Sequence, residues 1–241
     1  MRFLLIALLF STSLAHAASP KAEAFAPLFE LAGIRLLCEQ TAPLVQRGLS
    51  DKQQAQLAKV FAADGLCLDL AKKLTGKLDQ AQLVQAKSLL ESPLAQGFTA
   101  AERSVGEGGA EGLTAYRTQL VDRPPREERL ALDAAAHTTT LATLLRYEVG
   151  KTQAFLALQE RGESIDEKAL STQTKAQEDA LRASSSQAVE SFMLYAYRQM
   201  PSEKLAEYAA LYEQPAVAQL LDSSVQVLPE LFAARRAQLK K

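Results

Sequence analysis

Few residues in this chain could do chemistry. Two histidines, His16 and His137, occur among 241 residues. His137 stands beside Thr138, Thr139 and Thr140, with Thr143 one turn further on. A histidine among hydroxyls can form a polar ligand-binding spot inside a helical bundle. The more ordinary reading is a core histidine bonded to a threonine or to backbone. No Gly-x-Ser-x-Gly elbow is present to place it in a Ser-His-Asp triad. The carboxylate pairs Glu127-Glu128 and Asp166-Glu167 fall at predicted helix starts, where they complement the helix dipole. The glycine-rich run from Gly106 to Gly112 follows no strand and precedes no Lys-Ser or Lys-Thr pair, so it reads as a connector and not a phosphate cradle. No catalytic set, metal site or cofactor is expected, and the chain does not read as an enzyme.

Two further groups stand out. Cys38 and Cys67 are the only cysteines, an even count that suits one disulfide in an oxidising compartment, two separate buried thiols being the alternative. Phe192, Met193, Leu194, Tyr195, Tyr197, Tyr208 and Tyr212 concentrate aromatic and apolar surface on more helix faces than one buried stripe requires. Core packing accounts for most of them; a cleft between helices or a groove for a partner helix accounts for the rest. The candidate binding residues are therefore His137, Thr140, Tyr195, Tyr197, Tyr208 and Tyr212.

Residues 1–17 carry one early positive charge, the apolar run from Phe3 to Phe10, and Ala15-His16-Ala17 as a small-x-small cleavage pattern. This is the pattern of a signal peptide cut after Ala17, since the apolar run is too short to span a bilayer of about 30 Å. The periplasm is the expected destination, and no membrane span is expected after processing. Lys and Arg total 27 against 28 Asp and Glu, so there is no basic field to hold nucleic acid.

The elements that must position these residues are helical. Alanine, leucine and glutamine dominate, and all favour helix. A first helix is predicted over 20–48, kinked by Pro27 and Pro43. Ser50 with Gln53 and Asp79 with Gln82 read as capping boxes. Asp64-Gly65 predicts a break between them. Two long helices are predicted over 126–161 and 164–199, the second capped at Ser164, with possible interruptions at Gly150 or Ser184 to Ser186. Short helices are predicted over 114–121 and 204–213, and a last one over 216–239. The pattern predicts an all-α multi-helix bundle.

Residues 78–102 align without gaps onto 200–224. Leu83 matches Leu205, Leu89 matches Leu211, Glu91 matches Glu213 and Pro93 matches Pro215. Each copy reads as turn, short helix, Glu-x-Pro corner and second helix, with Ser92-Pro93 and Gln214-Pro215 at the corners. The expected organisation is a signal peptide over 1–17, a first helical lobe over 18–105, a Gly- and Pro-containing connector over 106–125 and a second, related lobe over 126–241.

Residues 83–98, ending Leu-Leu-Glu-Ser-Pro-Leu-Ala-Gln-Gly-Phe, resemble an exported bacterial helical family catalogued as domain of unknown function 2059. The run Leu28-Phe29-Glu30-Leu31-Ala32-Gly33 resembles that family's opening helix. The likeness covers about 25–105 and, more faintly, 130–239. Leu89-Leu90 replaces the family's aromatic pair, Ala95 stands where glycine is usual, and the second copy has Gln214 for serine and Val217 for glycine. The resemblance implies a helical fold and export, and no activity. The functional expectation is a non-enzymatic periplasmic interaction module, an adaptor, chaperone-like or inhibitor protein with a protein partner. The alternative is a binder of an apolar small molecule or lipid in a cleft between helices.

Overall fold

The computed structural model describes residues 20–107, 112–113, 115–116 and 127–239. The predicted signal peptide, most of the connector with its short helix over 114–121, and Lys240-Lys241 lie outside the described residues. Every regular element among the described residues is helical: α1 Ala26–Leu31, α2 Ile34–Val45, α3 Asp51–Val60, α4 Ala63–Leu74, α5 Gln80–Leu90, α6 Pro93–Glu107, α7 Glu127–Ala135, α8 Thr138–Glu160, α9 Glu167–Thr174, α10 Glu178–Ala196, α11 Ser202–Tyr212 and α12 Pro215–Gln238. The fold is an all-α multi-helix bundle.

Several boundaries depart from the sequence reading, each for a local reason. The first predicted helix is divided at Gly33, whose φ of 72° leaves the right-handed helix and requires glycine at no steric cost. Pro27 sits at the start of α1, where its missing N–H costs nothing, and Pro43 is carried inside α2 near its end. Asp64-Gly65 is no break: the chain turns at Phe61-Ala62, and both residues lie in the first turn of α4. The helix predicted over 126–161 breaks at His137, not at Gly150. Asp166, not Ser164, caps α9, its side chain accepting from the Ala169 amide at 2.7 Å. The predicted 164–199 helix is interrupted by a 3₁₀ turn at Lys175–Gln177, while Ser184 to Ser186 stay inside α10.

The capping boxes form as expected. Ser50 and Gln53 close on each other at the start of α3, and Asp79 accepts from the Gln82 amide at 2.8 Å at the start of α5. α5 and α11 are 11 residues each, and Pro93 and Pro215 open the helix that follows. The corners are built differently. Ser92 Oγ accepts from the Ala95 amide at 3.3 Å, whereas Gln214 turns back, its Nε2 donating to the Ala210 carbonyl at 3.3 Å.

The buried side chains from both predicted lobes join in one continuous core. α12 runs through it, packing on α4 and α5 from the first half and on α8 from the second. Phe61 and Phe232 meet across that seam with ring centroids 5.6 Å apart. Arg235 and Arg236, near the C-terminus of α12, are buried in this packing. Arg235 donates to the Val60 carbonyl at 2.7 Å and to Asp69 Oδ2 at 2.6 Å, in the space that Gly65 leaves beside it. Arg236 is 1% exposed and contacts Glu148 Oε2 at 2.7 Å and Glu167 Oε1 at 2.6 Å. Lys151 Nζ joins the cluster, 2.7 Å from Glu167 Oε1 and 3.5 Å from Glu148 Oε1.

Cys38 on α2 and Cys67 on α4 are joined by a disulfide, with Cα atoms 6.0 Å apart and a sequence separation of 29. The bridge encloses α3 and fixes α2 against α4. No helix among the described residues is long and apolar enough to cross a membrane. A disulfide suits an oxidising compartment.

Candidate functional site

A cavity of about 270 Å³ opens between the two halves of the bundle. One wall is α2, with Leu36, Leu37 and Gln40; the other comes from α7, α8 and α10, with Leu132, Leu141, Ala142, Leu145, Phe192 and Met193. Leu36 lines it and is 55% exposed, so the cavity reaches the surface there. The walls are apolar because these residues recur at helical spacing on faces that the crossing helices do not fully cover.

The polar end of the cavity is built by three elements. Phe98 and Glu102 lie one turn apart on α6, and Tyr208 and Tyr212 one turn apart on α11, so each pair points the same way. Phe98 stacks on Tyr208 with centroids 4.1 Å apart and meets Tyr197 edge-on at 5.2 Å. That packing delivers the hydroxyls to Glu102. Tyr197 donates to Glu102 Oε1 at 2.6 Å and Tyr208 lies 3.5 Å from the same oxygen. The Tyr208 and Tyr212 hydroxyls are 3.1 Å apart. Glu102, Tyr197, Tyr208 and Tyr212 all line the cavity.

Burial governs the protonation of this group. It pushes Glu102 above the usual carboxylate range, and the hydrogen bonds from Tyr197 and Tyr208 only partly offset it. Burial first, and the nearby Glu102 charge second, push Tyr212 up to about 12. Tyr197 and Tyr208 are raised further, with burial again the leading cause. The three phenols therefore stay protonated at neutral pH and act as donors.

Of the candidate residues read from sequence, the structure gathers Tyr197, Tyr208 and Tyr212. Tyr195 points elsewhere, edge-on to Tyr116 at 5.3 Å and beneath the Arg198 guanidinium at 4.2 Å. Thr140, half-buried near the start of α8, does not line the cavity.

His137 is not a core histidine on a continuous helix. It is the junction between α7 and α8, with φ 53°, and its Nε2 lies 2.8 Å from Asp222 Oδ1 on α12. A left-handed backbone at a residue other than glycine is uncommon, and histidine is among the types that tolerate it. Asp133 holds the junction, its carboxylate accepting from the Thr139 amide and hydroxyl, each at 2.7 Å. The neighbours Ala136 and Thr138 line the cavity; His137 does not.

Sequence reasoning missed Glu102. The signal was present: Leu94, Phe98, Glu102 and Val105 form a helical stripe in which the carboxylate is the one charged member. Comparison of the chain with protein families, with curated proteins and with solved structures finds no match, so the family resemblance rests on the residues quoted for it, chiefly 28–33 and 83–98.

Proposed function

We propose that this chain is a non-enzymatic binding protein, exported to the bacterial periplasm, that holds a small amphipathic molecule in the cavity between its helices. The observation that carries the reading is the apolar cavity closed at one end by the Glu102–Tyr197–Tyr208–Tyr212 hydrogen-bond network. At about 270 Å³ the cavity lies near the lower end of the ~300–1,000 Å³ typical of ligand sites, and it has their usual composition of apolar walls with a few convergent polar groups. The carboxylate is already engaged and the phenols are held protonated. That arrangement suits gripping the polar end of a ligand more than moving a proton.

Export is supported by the leader-like residues 1–17 and by the disulfide. A protein-interaction role keeps one specific support. Val84, on the outer face of α5, is 59% exposed beside Ala81 and Leu89. A stoichiometric protein captured by wild type and lost with Val84→Glu would favour that role.

The test of the binding reading is native mass spectrometry of protein recovered from the periplasm, together with calorimetric titration of eight-carbon amphiphiles. A co-purifying small mass, and binding removed by Ala142→Phe, are expected. An empty protein that binds none of the amphiphiles would refute it.

A further inference from the structure

The charge pattern of the cavity specifies the polar end of its ligand. Glu102 supplies the one carboxylate, and among the described residues lining the cavity there is no lysine, arginine or histidine. Among the described residues, the cation that acts on Glu102 is its exposed neighbour Arg103. Glu102 Oε1 is taken by the Tyr197 hydroxyl at 2.6 Å. Oε2 accepts no hydrogen bond from the described residues. Tyr197, Tyr208 and Tyr212 stand at the same end.

Resting on the binding reading above, we infer that the ligand is a primary amine on a short apolar chain, with its ammonium group donating to Glu102 Oε2. A carboxylate or phosphate head is disfavoured, because it would meet Glu102 with no cation among the described lining residues to balance the two negative charges. A neutral alcohol could donate one hydrogen bond to Oε2 but would bring no charge, leaving the carboxylate with the exposed Arg103 as its cation among the described residues. An ammonium supplies three donors and a positive charge inside the cavity. The apolar chain then lies against Leu37, Leu141 and Leu145.

The experiment is calorimetric titration of octylamine, octan-1-ol and octanoate into the full exported chain at pH 7.5. Wild type is expected to bind octylamine at least about ten-fold more tightly than octanol, a difference typical of one charge-assisted contact, and octanoate most weakly. In Glu102→Gln, whose amide oxygen still accepts from Tyr197, the preference for octylamine over octanol should disappear. Octanol or octanoate binding as tightly as octylamine to wild type would overturn the amine assignment and leave the cavity reading standing. An amine preference that survives in Glu102→Gln would also overturn it. If none of the three binds, the cavity reading itself falls, and the amine assignment with it. The head-group comparison is made on wild type, so it does not depend on the variant folding.

Discussion

Replacing Arg236 with leucine removes the guanidinium that joins α12 to α8 and α9. Glu148 is 1% exposed and would keep only Lys151, 3.5 Å away. Glu167 is more exposed and would keep Lys151 at 2.7 Å. Breaking a buried ion pair by removing one partner costs about 3–5 kcal/mol, because the other charge is left in a poorly solvating interior. In a chain of this size each kcal/mol moves the melting midpoint by about 2–4 °C, so a drop of about 6–20 °C is expected. The pH dependence carries a sign. Burial already pushes Glu148 upward, and Arg236 and Lys151 only partly offset it. Without Arg236 its folded pKa rises further, so the folded variant favours the protonated acid, and the stability it keeps at low pH is lost as pH rises. The deficit relative to wild type should therefore grow between pH 5.5 and pH 8. Urea denaturation of both proteins at those two pH values measures it. Replacing Glu148 with leucine as well removes the stranded charge and should restore at least half of the loss. A single-variant loss below about 1 kcal/mol, the value of an exposed pair, would refute the reasoning. A deficit that shrinks with rising pH, or a double variant less stable than the single, would do the same.

Other outcomes follow from the same contacts. Reducing the disulfide, or changing Cys38 and Cys67 together to serine, releases a loop of 29 residues and should cost about 3.5 kcal/mol by chain entropy, read from denaturant midpoints with and without reductant. Asp133→Ala removes the acceptor for the Thr139 amide and hydroxyl and should cost about 1–2 kcal/mol, with hydrogen exchange speeding up in the first turn of α8. Glu167 is pushed up by partial burial, but the hydrogen bonds and charges of Arg236 and Lys151 outweigh that and hold it below the usual carboxylate range. Its contribution is present above its unfolded pKa and lost as pH falls through the lower folded value. Wild type should therefore lose this part of its acid stability, and Glu167→Gln should show a flatter acid limb in pH-dependent melting. Octylamine affinity should weaken as pH falls and Glu102 gains a proton. Tyr197, Tyr208 and Tyr212 stay protonated throughout, and Glu102 is the cavity group whose proton uptake the titration reads.

The amino-acid order determined whatever depends on near neighbours. The caps at Ser50 and Asp79, the proline corners at Ser92-Pro93 and Gln214-Pro215, and the helical class follow from backbone chemistry within a few positions, and each formed as read. The tyrosine concentration was legible for the same reason, since helical spacing marks an excess of apolar faces. Packing decided the rest. Whether α7 continues into α8 or breaks at His137 depends on Asp222, far along the chain, and on the Asp133 cap. Whether Arg235 and Arg236 trail into solvent or lie in the core depends on carboxylates from α4, α8 and α9 arriving beside them. Glu102 became a candidate ligand-holding group only when α6, α10 and α11 met, since a carboxylate on a helix stripe gains its raised pKa and its phenol donors from elements distant in sequence. Helix ends are set by local hydrogen bonds; the protonation and partners of a buried charge are set by whatever the fold brings against it.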